Sequence, residues 1–261
     1  MENVVKISII TVCFNSLNYI DCCIKSILSQ TYDHIEYIII DGGSDDGTKD
    51  IIKKYDYEID KWISEPDNGI ADAMNKGIKL ATGDYILFIH SDDYLADSMV
   101  IEKAVSKITI PFDIFLFDII QEKNGIKTLC APKGFIWWTN FKTTVFHQAC
   151  FCSKKLFEKI GVFDKKFQIT MDFDFFLRAY RVGVRFTYIK FPLSVMRLVG
   201  ISSRLDWNSL KMRFSEERKV HIKNCPNLWM KIIYRVYWFL YLPYRKVKFL
   251  LNEYIFLYLK N

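Results

Sequence analysis

The chain has 261 residues, about half hydrophobic and a quarter charged, so it can bury one large core and is neither a disordered segment nor a small disulfide-framed domain. Its net charge of +6 is uneven: residues 228–261 hold six Lys or Arg against one Glu, which leaves about +1 elsewhere. Nucleic-acid binding calls for basic residues across a groove of the folded body with aromatic platforms among them, and that pattern is missing, so no nucleic-acid partner is expected.

Ile7 to Phe14 is an apolar, β-branched run that predicts a buried strand. Asn15 to Asn18 reads as a turn, and Tyr19, Cys22, Cys23, Ser26 and Ile27 then give helical spacing up to Gln30. Ile35 to Ile40 predicts a second buried strand, ended by Asp41-Gly42-Gly43-Ser44. A helix over Thr48 to Tyr55, a strand over Lys61 to Ser64 and a helix over Ile70 to Ala81 follow, the last stopping at Gly83. Tyr85 to Ile89 is a further strand, running into His90-Ser91-Asp92-Asp93. Strands that alternate with helices pair in parallel and build a layered α/β sheet. Ligands of such sheets bind beyond the carboxyl ends of the strands, where Asn15, Asp41 and the Asp92-Asp93 pair fall.

Beyond Asp97 the pattern loosens. Asp113 to Ile120 predicts a strand that opens a hairpin, with Asn124-Gly125 as its turn. Ser153 to Ile160 and Asp172 to Arg181 predict helices, the second with Phe173, Phe176, Leu177 and Tyr180 in one stripe. From about Trp207 the chain reads as wholly helical. The seven cysteines show neither C-x-x-C nor zinc-site spacing, which points to reduced thiols in the cytoplasm. No signal peptide is read at the N-terminus, and no uncharged apolar run reaches the ~18–20 residues needed to span a bilayer.

A diphosphate leaving group calls for a divalent cation, and Mg²⁺ or Mn²⁺ takes carboxylate and phosphate oxygens. Asp92-Asp93 after a buried strand suits that task; the plainer reading is a cap for a helix near Ser98. Asp41 ends its strand in a glycine-rich loop, where a carboxylate can accept the N3–H of uracil and glycines let a base approach the backbone; the plainer reading is a turn. G-x-G-x-x-G and Walker A loops are both missing from the sequence.

The segments Ser8 to Asn15, Asp41 to Thr48, Ser64 to Gly77, Ala81 to Tyr85 and the Asp92-Asp93 pair, in this order and spacing, resemble the family 2 glycosyltransferases. The likeness covers roughly residues 5 to 205, and the subgroup it is most similar to serves bacterial surface-polysaccharide assembly of the O-antigen or colanic acid type. It implies an α/β GT-A fold: a Rossmann-like mixed sheet flanked by helices, with residues 1–205 as the transferase domain. Residues 1–97 form its nucleotide-sugar half and 98–205 its acceptor half. By the same resemblance Thr11 and Asp41 contact the uridine end of a UDP-sugar donor, and Asn15 is a further donor-binding residue. Asp67, Asp72, Asn75 and Asp92 border its sugar and diphosphate, and Asp92 and Asp93 hold Mn²⁺ or Mg²⁺. Asp72 and Asn75 are three apart on one helix and share a face. The family motif commonly carries an acid or Asn where His90 stands; a neutral imidazole there can ligate a metal or pack at the strand end. On the acceptor side, the family's helix-opening acid corresponds to Asp172, whose ionised form is favoured in a first helical turn, as a general base requires. His147 and Arg197 fall where the subgroup often has polar residues. The transfer implied is inverting, onto a lipid-diphosphate-linked saccharide.

Residues 206–261 are expected to form a helical extension. Trp229, Tyr234, Tyr237, Trp238, Tyr241 and Tyr244 interleave with Lys231, Arg235, Arg245, Lys246, Lys248 and Lys260, as in helices that lie in an anionic membrane interface; a cap on the domain or a homodimer contact is the other reading. A non-catalytic nucleotide-sugar module and a sugar-nucleotide-forming nucleotidyltransferase are the rival functions.

Overall fold

The structure is a computed structural model that describes residues 4–200 and 203–258, with the side chains of 252–258 left aside. Lys260 lies outside the described residues. The chain divides into two compact units, 1–203 and 204–261.

In the first unit, β1 (Ile7–Cys13), α1 (Ile20–Leu28), β2 (Ile35–Asp41), α2 (Thr48–Lys54), β3 (Lys61–Ser64), α3 (Ile70–Leu80) and β4 (Tyr85–Phe88) follow one another. β1 pairs in parallel with β2 and β4, and β2 with β3. All seven residues of β1 are buried, which is why the strand reads as a continuous apolar run rather than an alternating one. β5 (Tyr94–Leu95), α4 (Val100–Val105), β6 (Ile114–Lys123) and β7 (Ile126–Cys130) come next, then β8 (Cys150–Ser153), α5 (Lys154–Ile160), α6 (Met171–Arg181) and β9 (Phe186–Arg197). The sheet runs β3-β2-β1-β4-β8-β6-β9-β5, with β7 on β6. β8 lies antiparallel between β4 and β6, and β9 is parallel to β6, so the sheet is mixed, as the GT-A resemblance implied.

Two helices differ from their predicted faces. α1 buries Ile20, Cys23, Ile24 and Ile27, while Cys22 is exposed; Ser26 is spent on the Cys23 carbonyl and the Leu95 N–H. α6 is buried nearly all round rather than along one stripe, and Tyr180 is only half-buried. Phe175 stacks on Phe157 at 4.7 Å between centroids while Phe176 meets Phe135 on another side, so aromatic residues pack against α6 from two directions.

Glu36 clasps the sheet from below the site. It is 3% exposed and accepts from Ser8 Oγ (2.6 Å), Thr82 N (2.7 Å), Thr82 Oγ1 (2.8 Å) and Lys61 Nζ (2.7 Å). Burial alone would raise its pKa, but these donors outweigh it and bring it down to about 2.

In the second unit, α7 (Trp207–Lys223) is capped by Asp206, which accepts from Asn208 N and Ser209 N. α8 (Leu228–Tyr258) continues through Pro243. Leu210, Phe214 and Trp238 form a small core between the two helices.

Candidate active site

Three loops meet at the carboxyl ends of β1, β2 and β3. Asn15 takes the left-handed conformation at φ 48°; its N–H donates to Ser44 Oγ (2.8 Å) and its Oδ1 accepts from Asp45 N (3.1 Å). Asp41 is fully buried and accepts from Ser44 N (3.0 Å), Ser44 Oγ, Ser64 Oγ (2.6 Å) and Cys13 Sγ (3.5 Å). These donors hold the Asp41 carboxylate in the loop that it shapes. Thr11 is fully buried, its hydroxyl against Cys23 Sγ and the Tyr37 hydroxyl, as both faces of β1 are covered. Gly42 lets the loops close, since a Cβ there would lie 2.6 Å from Asp67 Oδ2. Asp67 itself accepts from Gly69 N at 2.7 Å.

On α3, Asp72 accepts from Asn68 N (3.1 Å) and pairs with Lys165 (3.3 Å), and the Asn68 N–H leads the contacts that hold its pKa below the usual range. Asn75 spends both ends of its amide on the Phe163 backbone, giving Nδ2–H to the carbonyl (2.8 Å) and taking the N–H on Oδ1 (3.0 Å). It thereby ties α3 to the loop after α5.

The β4 end carries the acids. Asp93 is 1% exposed, and its Oδ1 accepts the Arg197 N–H at 3.1 Å. Burial and the adjacent Asp92 push its carboxyl well above the usual range. Asp92 is half-buried, and burial raises its pKa too. No other residue among those described donates to the Asp92 side chain; its Oδ2 faces Gly200, where a Cβ would lie 3.4 Å away. Asp92, whose carboxylate accepts from no other described residue, fits a cation. Asp93 spends Oδ1 on the Arg197 N–H, but its Oδ2 is buried without a hydrogen-bond partner, and a cation would relieve that oxygen too. No cluster of three His, Cys, Asp or Glu among the described residues could hold a metal, so the further ligands would come from a diphosphate. Helix capping is not the job of either acid: Asp97 accepts from Met99 N ahead of α4.

Arg197 binds this corner together. Its guanidinium donates to the Asp92 carbonyl (3.0 Å), pairs with Glu122 (3.9 Å) and lies over the Tyr94 ring at 4.5 Å.

His90 and His147 face each other, Nε2 to Nε2, at 2.7 Å. The Nδ1 of His147 then lies 3.4 Å from Asp172 Oδ2. Burial, with His147 beside it, pushes His90 well below its ordinary pKa, so it stays neutral. With Asp172 ionised, His147 donates through Nδ1, its Nε2 accepts, and His90 donates through Nε2. The spacing of 3.4 Å is loose, as in many ligand-free sites. The sequence named these three residues separately; the fold joins them. Asp174 points inward, is fully buried and pairs with Arg178 at 3.0 Å.

Asp172 and His147 open into a cleft of about 460 Å³ that is also lined by Lys133, Trp138, Lys142 and Thr143. Sequence reasoning missed these four. The signal available was the exposed Trp137-Trp138 dipeptide between a glycine and a threonine pair.

A mixed sheet with acids at its β4 end and a carboxylate opening a helix on the far side defines a GT-A nucleotide-sugar transferase. The chain belongs to glycosyl transferase family 2, whose profile matches residues 8–182. An uncharacterized glycosyltransferase of Mycobacterium tuberculosis is 35% identical over 184 residues, covering 69% of this chain and 70% of that one. Among solved structures, Staphylococcus aureus TarS (residues 1–349) in complex with UDP-GlcNAc superposes with a TM-score of 0.65 at 19% identity, over 84% of this chain and 66% of that one. The mannosyltransferase PcManGT of Pyrobaculum calidifontis, in complex with GDP-Man and Mn²⁺, gives 0.63 at 17%, over 84% and 64%. The chain thus covers slightly less than two thirds of these two structures' own length.

Proposed function

We propose that this glycosyltransferase moves a hexose or N-acetylhexosamine from a UDP-sugar to a lipid-diphosphate-linked saccharide, with inversion, in surface-polysaccharide assembly. The observation that carries the reading is Asp172: a carboxylate oriented by His147 at the floor of an open cleft, and joined through His90 to the β4 corner that bears Asp92. In a single displacement Asp172 takes the proton of the acceptor hydroxyl. The freed oxygen bonds to the anomeric carbon, and the bond to the diphosphate breaks with its electron pair leaving on the diphosphate. His147 keeps the carboxylate aimed, and neutral His90 fixes the His147 tautomer. Asp92 would hold Mn²⁺ or Mg²⁺. When bound, such an ion neutralises charge that develops on the departing diphosphate. Asp93 and Arg197 keep the Asp92 backbone in place.

The uridine is read by the loop that Asp41 shapes, together with Asn15 and Asp67. Family membership sets aside the sugar-nucleotide-forming alternative. A donor panel with diphosphate-linked acceptors, followed by NMR of the product's anomeric configuration, tests the whole reading; retention of configuration, or no transfer from any UDP-sugar, overturns it.

For the extension we propose attachment to the cytoplasmic face of the cell membrane. Trp229, Ile232, Ile233, Val236, Leu240, Val247, Leu250 and Leu251 are exposed, and at helical spacing they form one stripe along α8. Tyr234 and Trp238 are buried on the opposite side. Arg235 and Lys246 flank the stripe, which suits an anionic interface. Among the described residues no helix is long and apolar enough to cross a membrane.

A further inference from the structure

The first unit carries an apolar knob that its core does not use. Ile136, Trp137 and Trp138 follow one another and are 38, 53 and 57% exposed. Single apolar residues on a surface are ordinary, but three in a row with two indoles among them mark a contact surface. The knob is held rather than loose. Trp137, Trp138 and the buried Phe141 form a ring cluster with centroids 4.9–5.6 Å apart. The turn beneath is tied by Ile136 N–H to Thr139 Oγ1 (3.1 Å), by Thr139 to Thr144 through their hydroxyls (2.9 Å), and by Asn140 Nδ2–H to the Trp137 carbonyl (2.8 Å). A preset apolar surface loses little freedom when something covers it.

The cleft in front of Asp172 does not account for the knob: Trp138 lines it, whereas Ile136 and Trp137 do not. The charge around the knob decides what covers it. From Ile126 to Cys150 the chain carries three lysines and no Asp or Glu. Lys133 is exposed, and its N–H is fixed to the Thr144 carbonyl at 2.9 Å, beneath the same turn. Two copies meeting knob to knob would set two such segments against each other, like charge against like. An anionic bilayer instead attracts the lysines. Its headgroup layer is also where tryptophan settles, with the ring toward the acyl chains and the N–H among polar groups.

We propose that the Trp137–Trp138 turn is a membrane contact of the first unit, with Ile136, Trp137 and Trp138 in the headgroup layer of an anionic bilayer and Lys133 toward the lipid phosphates. Three side chains are a weak anchor by themselves, so the inference rests on the attachment proposed for α8, which supplies the hold. What the turn adds is orientation. Trp138 belongs to both the knob and the cleft, so a seated turn places the mouth of the cleft at the membrane surface. The contact is a property of the first unit and holds whatever the donor sugar is.

The test uses the full chain and vesicles of phosphatidylcholine, alone or in equal parts with phosphatidylglycerol. I136S/W137S should partition onto the anionic vesicles about 10-fold less than wild type, with UDP affinity unchanged, which shows that the variant folds. K133E should weaken binding to the anionic vesicles at low salt, and the difference should shrink at high salt. W137F keeps an apolar ring and should bind within about twofold of wild type. Phosphatidylcholine brominated next to its headgroup then reads depth through tryptophan quenching. Six tryptophans contribute, so Trp137 is read as the quenching that W137F loses. The same measurement on chain tethered by an N-terminal hexahistidine to nickel-chelating lipid reads the turn without relying on α8. Anionic-vesicle binding by I136S/W137S equal to that of bound wild type, or quenching in the tethered chain that W137F leaves unchanged, overturns the proposal. Self-association of wild type that I136S/W137S abolishes assigns the knob to a second copy and overturns it too. If untethered wild type ignores anionic vesicles, the α8 attachment fails, and the tethered chain still decides this proposal.

Discussion

His90 and His147 meet at 2.7 Å through their Nε2 atoms and so link the end of β4 to the turn that leads into β8. Where the family motif commonly has an acid or Asn, the neutral ring of His90 gives His147 one defined tautomer and leaves its Nδ1–H for Asp172. His147→Ala should lower kcat about 10- to 100-fold with the KM for donor unchanged. Loss of the hydrogen bond frees the Asp172 carboxylate to turn away from the acceptor, so the defect should lie in kcat and not in donor binding. Steady-state kinetics with donor varied checks this, and His147→Asn should recover part of the rate.

Asp172→Asn retains the shape of the base and removes its basicity. We expect UDP binding within about twofold of wild type by calorimetry and a loss of transfer on the order of 10²- to 10⁴-fold. Native-rate transfer by this variant would transfer the role of base to another group.

The two adjacent acids should separate. Asp92→Asn should abolish stimulation by Mn²⁺ or Mg²⁺ and cost most of the activity, while the melting temperature without ligand stays close to wild type. Asp93→Ala should act through the fold, because it leaves the Arg197 N–H without its buried acceptor, at about 1–3 kcal/mol. Thermal melts with and without cation plus UDP distinguish the pair. Full turnover in excess EDTA would remove the cation from the mechanism.

Glu36 predicts a pH-dependent stability. Its folded pKa of about 2 lies below the ordinary 4.5. The stabilisation it gives is therefore complete above about pH 4.5 and is lost as pH falls toward 2, amounting to on the order of 2–3 kcal/mol. Urea unfolding of wild type and Glu36→Gln should show a gap that closes over that window. A gap independent of pH would assign the effect to the neutral hydrogen bonds.

The extension should bring the protein to vesicles that contain anionic lipid and not to neutral ones, with binding reduced by salt. Truncation after Asn227 should abolish co-sedimentation and leave UDP binding unchanged. Full-length protein that ignores anionic vesicles at low salt would favour self-association through α8 instead.

The strand-helix alternation of the first unit was legible because buried parallel strands such as Ile35–Asp41 are apolar runs ended by polar loops, a local signal. Asp92 and Asp172 were legible as motif positions. What could not be read were contacts set by strand order. Thr11 and Asp41 sit at motif positions, but their partners, Cys23 and Tyr37 for Thr11 and Ser44 and Ser64 for Asp41, are brought to them by the fold. The amide of Asn75 is taken by Phe163, 88 residues away, and nothing local foretells that. His90 reaches His147 because β8, which the sequence did not reveal as a strand, lies beside β4. The Lys133–Thr143 wall of the cleft is loop with one 3-10 turn at Trp137–Asn140, too short to show a period.

The position of β8 has a consequence for how this enzyme can be dissected. It lies between β4 and β6, while β5 leaves the first half of the chain to pair with β9 near the C-terminal end of the sheet. The two halves are therefore interleaved and are not beads on a string. A fragment that stops near residue 97 would expose the apolar β4 (Tyr85–Phe88) as a bare sheet edge, which recruits other chains. It would also leave β5 without its ladder. Such a fragment should be recovered as aggregate or as a co-folded complex with the missing half. Chimeras that graft a different acceptor specificity are better cut in the irregular segment between β7 and β8, where a swap replaces the cleft wall and leaves every strand with its neighbours.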